Sequence, residues 1–415
     1  MGRLLSKEDV LAYAIASTAL STGGGGVGPS LESVAKMYDD AIAKGARPEL
    51  IELSEVPDDA IVTSVVATGG GVSPEMMMRW GGRGGRLRRD LPFGRFDPEY
   101  IRDKILENDA TWCPLNSWSK IPGPDFRRKA WERLKELIGG KEIFSRLFFE
   151  ISPFVTRDLC YMSLEGMKAI DATCAGYRAA PEISQSGLNL ADVKCTPAVI
   201  TTVWGDLLIL EEVLCFQRAE EIVEGIATYS GGVAGGPFAL TGKEAKKGMI
   251  PGCISFTIDI GKAILKARES GDDIAEAIVD ASKGRAFKLF EGKIAEYWQE
   301  PKYSFIWGMV KIKGTGKYAG HRFKAWYKNE FHISWLDDKP YVTSPDGINV
   351  IDPKTGWGLA NFWPAEWEPG REVVVIGVKN DERWETPRGL KLFGPQHFFF
   401  DIEHVPIDKI YKNFE

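Results

Sequence analysis

Asp171, Cys174, Arg178 and Glu182 fall within one short segment, Asp171-Ala-Thr-Cys-Ala-Gly-Tyr-Arg-Ala-Ala-Pro-Glu182. A carboxylate with a thiol and a guanidinium close by is suited to holding a polarised C=N or C=O group, and the same residues would equally serve an ordinary loop of a large domain. Glu150 closes an apolar run, Arg146-Leu-Phe-Phe-Glu-Ile, that reads as a buried strand, and Asp171 closes another. Two glycine runs stand upstream: Gly23, Gly24, Gly25 and Gly26 after a helical pattern, and Gly69, Gly70 and Gly71 after a strand-like one. Glycine turns that open onto helix N-termini point several N–H groups at one spot and receive an anionic or carbonyl oxygen. The plain alternative is a left-handed cap at Gly23 followed by a loose connection. Neither run matches a phosphate fingerprint: there is no Gly-x-x-x-x-Gly-Lys-Ser/Thr, and Gly23 follows a helix where a dinucleotide fold needs a strand.

Other arrangements are absent or weak. No Ser-His-Asp order and no Gly-x-Ser-x-Gly elbow is legible. The four histidines, His321, His332, His397 and His404, all lie late in the chain. On a strand, His397, Asp401 and Glu403 would share one face, either as metal ligands or as a polar outer surface. Near the proposed site only Asp171, Cys174 and Glu182 form a close set of ligands, and His397 would have to arrive from the C-terminal part. A divalent metal is therefore an open but disfavoured cofactor.

These residues need elements to position them. Apolar periodicity predicts helices over 4–20, 30–43, 97–107, 125–137, 156–167, 216–228, 256–269 and 274–281. Ser6 with Asp9 reads as an N-cap arrangement. Strands are expected over 49–53, 60–68, 146–150 and 169–171, and alternation of strands with helices implies a largely parallel sheet with ligands at the strand ends. Gly23–Gly26, Gly69–Gly71, Glu150 and Asp171 are expected to converge there in one cleft between domains. After residue 285 the pattern changes to short strands, at 304–313, 322–327, 330–336 and 373–378, expected as a sandwich or barrel-like sheet. The fold class is thus multi-domain α/β: an α/β domain over 1–170, a bridging segment over 171–285 and a β-rich domain over 286–415.

Composition bounds the rest. The 415 residues carry a formal charge of −6 and 44% hydrophobic residues, ordinary for a soluble globular protein and no footprint for nucleic acid. Six arginines between Arg79 and Arg95, interleaved with glycines, resemble an RNA-binding box in composition, or form a loop or an interface with an acidic partner. Six scattered cysteines without a Cys-x-x-Cys pair argue against a disulfide framework and for reduced thiols in the cytoplasm. Acidic Glu8 and Asp9 precede the apolar run 11–20, where a signal peptide would be basic, and no run is long enough to span a membrane.

Taken in order, the motifs resemble a family named for S-methyl-thiohydantoin desulfurase. The resemblance rests on Thr22-Gly-Gly-Gly-Gly26, residues 55–62, residues 171–182 and, more densely, residues 255–268, 289–293, Asn329-Glu330, Pro345-Asp346, 352–356, 386–390 and 394–401. The chain departs from the family pattern at Glu150-Ile-Ser-Pro-Phe, at Thr173-Cys174 and over residues 80–142. The resemblance implies chemistry on cyclic amides and their thio analogues, with Asp171, Glu150 and Cys174 as catalytic candidates. Arg178, Glu182, Asn329, Glu330 and the two glycine runs are then substrate-binding candidates. Hydrolysis by the chain itself, as a homo-oligomer, stands beside an accessory role in a complex with a hydantoinase/oxoprolinase-type subunit; a small molecule is the expected ligand.

Overall fold

The computed structural model describes residues 2–24, 28–64, 126–202, 206–230, 237–302, 305–361 and 364–411. Gly25, Gly26, Gly69–Gly71, the arginine-rich stretch and the helix expected over 97–107 lie outside the described residues.

The first helix, α1 (Lys7–Leu20), opens on a capping box: Asp9 N donates to Ser6 Oγ at 3.1 Å, and Ser6 N donates to Asp9 Oδ2 at 2.8 Å. It starts three residues later than its apolar pattern because Arg3–Leu4 pairs instead as a short strand, β1, against β2 (Glu49–Ile51). Helix α2 (Leu31–Ala43) follows, and β3 (Ile61–Ser64) is the next described strand. Helix α3 (Phe126–Leu137), β4 (Ile143–Leu147), α4 (Val155–Tyr161), β5 (Ala169–Ile170) and β6 (Ala172–Thr173) come after it. Beyond them lie β7 (Ala198–Thr201), β8 (Leu207–Leu210), α5 (Phe216–Ser230), β9 (Ala239–Thr241) and β10 (Ile250–Pro251).

The expectation of one largely parallel sheet is corrected. The strands are too short to share a sheet and form small separate ones: β1-β2-β5, β4-β3-β9, β10-β6 and β7-β8. Among the described strands only β2–β5 and β3–β4 pair in parallel. Their inner faces, with Phe216 and Ala219 of α5, close over one apolar cluster around Val62, Leu147, Ile170 and Cys174.

Helices α6 (Cys253–Ser270) and α7 (Ile274–Ala281) lead into the C-terminal sheet. Seven antiparallel strands, β11 (Ala286–Lys302), β12 (Phe305–Gly314), β13 (Arg322–Lys328), β14 (Glu330–Leu336), β15 (Lys339–Thr343), β16 (Gly347–Ile351) and β17 (Glu372–Val378), lie in the order β15-β14-β13-β12-β11-β17-β16. The sheet curls around its own core, in which Phe290, Val310, Phe331 and Val375 from four strands meet Trp367. The segment around His397 is no strand: Gly394-Pro395 starts a 3-10 turn (Pro395–Phe398), and Phe399 ends it in the left-handed region. Asp401 and Glu403 therefore do not share a strand face with His397.

The two parts are joined by burial. Ile15, Ala16 and Leu20 of α1 pack with Ile260 and Ile264 of α6 and with Ile351, Val374 and Ile376 of the sheet. Gly261 lets α1 and α6 cross closely: a Cβ there would lie 1.8 Å from Ala12 O. Among the described residues no helix is long and apolar enough to cross a membrane.

Candidate functional site

The loop after β6 crosses from the first part into the second and carries Arg178 with it. Its guanidinium is buried and fully engaged. Nε donates to Ala179 O at 2.8 Å, Nη1 to Ser344 Oγ at 2.8 Å and Asp346 O at 2.7 Å, and Nη2 to Phe331 O at 2.9 Å. His332 lies next in line. Its Nε2 faces Lys328 O at 3.2 Å, so Nε2 carries the proton and Nδ1 accepts from Ser344 Oγ at 2.8 Å. Burial and the Arg178 charge push its pKa well below the usual histidine value and keep it neutral.

Two carboxyls flank Arg178. Glu150 lies beyond the end of β4; Ala180 N donates to its Oε2 at 2.7 Å, and desolvation raises the group to about 7. Glu330 is buried at the start of β14, where desolvation first and the Glu150 charge second push it well above the carboxylate range. Gly23 and Gly24 lie against it. A Cβ at Gly23 would sit 2.2 Å from Asn329 O, and one at Gly24 would sit 1.5 Å from Glu330 Oε1. Gly23, at φ +107°, also pairs its backbone with Ala360, donating to Leu359 O and accepting from Asn361 N at 3.2 Å each. Here the glycines permit close approach to the C-terminal sheet.

The polar seam continues through Lys328 into a cavity of about 550 Å³. One wall is Glu182, whose Oε1 accepts from Lys328 Nζ and whose Oε2 is 2.9 Å from His397 Nε2. Burial alone would raise Glu182, but His397 and Lys328 outweigh it and hold the carboxyl at about 2. Helix α5 supplies Glu220 and Glu224, one turn apart. Glu220 Oε2 accepts from Ile183 N and, at 3.3 Å, from Ser184 N. Desolvation pushes Glu220 well above the carboxylate range and Glu224 up to about 8. Phe305 and Trp307 form the aromatic side, with Lys328 Nζ 3.8 Å and 5.4 Å from their ring centres. The cavity thus holds one ionised carboxylate paired to an imidazole, one ammonium and two carboxyls that keep a proton near neutral pH. Such separated acid and base forms suit proton transfer at a polar ring.

The expected site residues are partly assembled. Gly23, Gly24, Glu150, Arg178, Asn329 and Glu330 share one cluster, buried at Arg178 and Glu330 and half-buried at Gly24, Glu150 and Asn329, and Glu182 lies on the cavity wall reached through His332 and Lys328. Asp171 takes a different place: its Oδ1 accepts from Ile254 N and Ser255 N, each at 2.9 Å, at the start of α6. Cys174 is buried in the first apolar cluster, its thiol pushed up to about 12 by desolvation. Among the described residues no group of three or more His, Cys, Asp or Glu is placed to hold a metal ion. The five described cysteines are free thiols.

Lys328, Glu220 and Glu224 carry no motif that marks them. One signal was available for the glutamates. The buried stripe of α5 runs Phe216, Ala219, Val223 and Ala227, and Glu220 and Glu224 occupy positions of that same stripe. A carboxylate on an apolar stripe marks a buried polar task.

Residues 216–407 match the family model described as S-Me-THD-like, C-terminal domain. A protein of Chromobacterium violaceum, solved by X-ray crystallography, superposes with a TM-score of 0.64 at 16% identity, over 98% of this chain and 100% of that one. At that identity the likeness is one of fold. No curated protein matches the chain.

Proposed function

We propose that this chain, a member of the S-methyl-thiohydantoin desulfurase-like family through its C-terminal domain, hydrolyses a small, flat cyclic amide or thioamide in the Glu182–Lys328–His397 cavity. The observation that carries the reading is the pairing of His397 with an ionised Glu182 at the cavity wall, opposite carboxyls that hold protons. Glu182 fixes His397 through Nε2 and stabilises the imidazolium that forms when the ring takes a proton from water at Nδ1. The water oxygen bonds to the ring carbon that carries the C–S or C–N bond. Glu224 lends its proton to the ring nitrogen, which makes that carbon more electrophilic. Lys328 faces the negative charge that develops as the tetrahedral centre forms. The C–S or C–N bond then breaks, the proton on His397 passes to the departing sulfur or nitrogen, and Glu224 recovers its own. Phe305 and Trp307 offer flat faces to a planar ring.

The test is turnover of hydantoins, thiohydantoins, S-methylated thiohydantoins and lactams by the purified chain, followed by ring absorbance and thiol release. His397→Gln keeps a similar volume and removes the base. It is expected to lower kcat by a factor on the order of 10²–10⁴ with an unchanged circular dichroism spectrum. Unchanged turnover in His397→Gln overturns this site. Turnover that requires a second, co-purifying protein makes the chain a subunit of a larger enzyme.

A further inference from the structure

The cavity acids leave an unmet requirement. Glu220 Oε1 and both oxygens of Glu224 are buried without a hydrogen-bond partner. The two residues are only 5% and 8% exposed. Each buried polar oxygen left without a partner costs about 1–3 kcal/mol. The two basic groups of the cavity, Lys328 and His397, are directed at Glu182. The two carboxyls are close enough for one to bond the other through a shared proton, which pairs two of these oxygens with each other.

We propose that the Glu220–Glu224 pair recognises a planar N–C–N cation, an amidinium or guanidinium head, stacked beside Phe305 and Trp307. This rests on the hydrolase reading in one respect: the substrate ring is then one that presents an N–C–N unit and receives the shared proton on binding. The geometry favours such a head over other cations. A divalent metal needs more oxygen ligands than the pair supplies, and no set of three suitable side chains exists among the described residues. A planar head offers several N–H donors in a fixed fork that matches carboxylate oxygens. Glu220 is held in direction by Ile183 N and Ser184 N, so its free oxygen is preset. The aromatic faces already take one cation, Lys328, 3.8 Å from the Phe305 ring centre.

Charge balance agrees. The groups that face Glu224 are Glu220 and Glu221 on its own helix, Glu182 from the loop, Lys328 from β13 and His397 from the Pro395–Phe398 turn. With Lys328 and His397 both directed at Glu182, the α5 pair has no cation bonded to it, and it becomes negative once a proton leaves. A permanent cation displaces the shared proton, so its affinity rises with pH and levels off above about 8, where burial places Glu224.

The experiment titrates methylguanidinium and acetamidinium, against their neutral counterparts N-methylurea and acetamide, into the full chain. Calorimetry in two buffers of different ionisation enthalpy counts protons, and tryptophan fluorescence reports on Trp307. The cations are expected to bind at least about tenfold more tightly than the neutral compounds. They are also expected to release a proton and to gain nearly tenfold in affinity between about pH 6 and pH 7. Glu224→Gln is isosteric and keeps the neutral form; it is expected to abolish the preference, and Glu220→Gln gives the same readout by a second route. Equal binding of neutral and cationic compounds, no binding of either, or a preference that survives both variants overturns the proposal. If the cations bind as expected but no cyclic amide is turned over, the recognition stands and the hydrolase reading falls.

Discussion

Glu182 and Glu224 line the same cavity and are driven in opposite directions, one to about 2 and the other to about 8. The consequences for stability have opposite signs. The Glu182 contribution is present in full above its ordinary value of 4.5 and is lost as pH falls towards about 2. That shift corresponds to about 3 kcal/mol, and removing one partner of a buried ion pair costs a similar amount. Glu182→Gln should therefore lower the unfolding free energy near neutral pH by about 3 kcal/mol, measured by urea denaturation. Glu224 behaves in reverse: the folded state gains from its raised value below pH 4.5 and loses that gain as pH rises towards about 8. Glu224→Gln should stabilise the chain near pH 8 by on the order of 2–4 kcal/mol and leave it unchanged near pH 4.5. A variant no more stable near pH 8 would mean that the pair is already relieved by solvent. Of these residues only Glu182 was legible, because it stands in a motif. Lys328 looks in sequence like any strand-end lysine, and its partner is 146 positions away.

At the scale of elements, the start of α6 shows what a strand-end aspartate can do instead of chemistry. The helix has Gly252 at its N-cap, which offers no side chain, and Asp171 supplies the missing acceptor from the bend between β5 and β6. A carboxylate there also meets the positive end of the helix dipole. Asp171→Ala should cost about 1–2 kcal/mol in thermal or urea unfolding while KM for any substrate stays within error. A loss of kcat in a variant of undiminished stability would return Asp171 to the chemistry. The described helices, the Ser6–Asp9 cap and the C-terminal strands were readable because each follows from local sequence pattern. The pairing of the N-terminal strands was not, since strands of two to five residues carry too few alternating positions to specify a partner. His397 was misplaced for a local reason: the aromatic run after it suggests a strand, yet Gly394-Pro395 forces a turn. That turn is what presents the imidazole to Glu182.

For the whole molecule, the described site belongs to neither half. Arg178 and Glu182 come from the loop after β6, Lys328 and His397 from the C-terminal part, and the apolar joint runs through α1, α6 and the sheet. The span 216–407 that carries the family match should therefore fold poorly alone. Expressed by itself it is expected to bind a hydrophobic dye and to elute as aggregates, and co-expression with residues 1–215 should restore a dye-silent particle. A monomeric, dye-silent fragment would show that the joint contributes little.

Helix α1 is buried on nearly every side, and the residue after its C-cap is tied to β16: Thr22 Oγ1 accepts from Val350 N, 328 positions later. A ribosome adds about 5–20 residues per second, so this segment waits on the order of 20–70 s for its final neighbours. Helices α2, α4 and α6 cover part of α1 earlier, but throughout that wait its face towards Ile351, Val374 and Ile376 is bare. Synthesis order thus sets a distinct hazard for this chain: a circular permutant that begins in the exposed turn at Asp337-Asp338 would deliver β16 and β17 before α1 and should give a higher soluble yield at the same final stability.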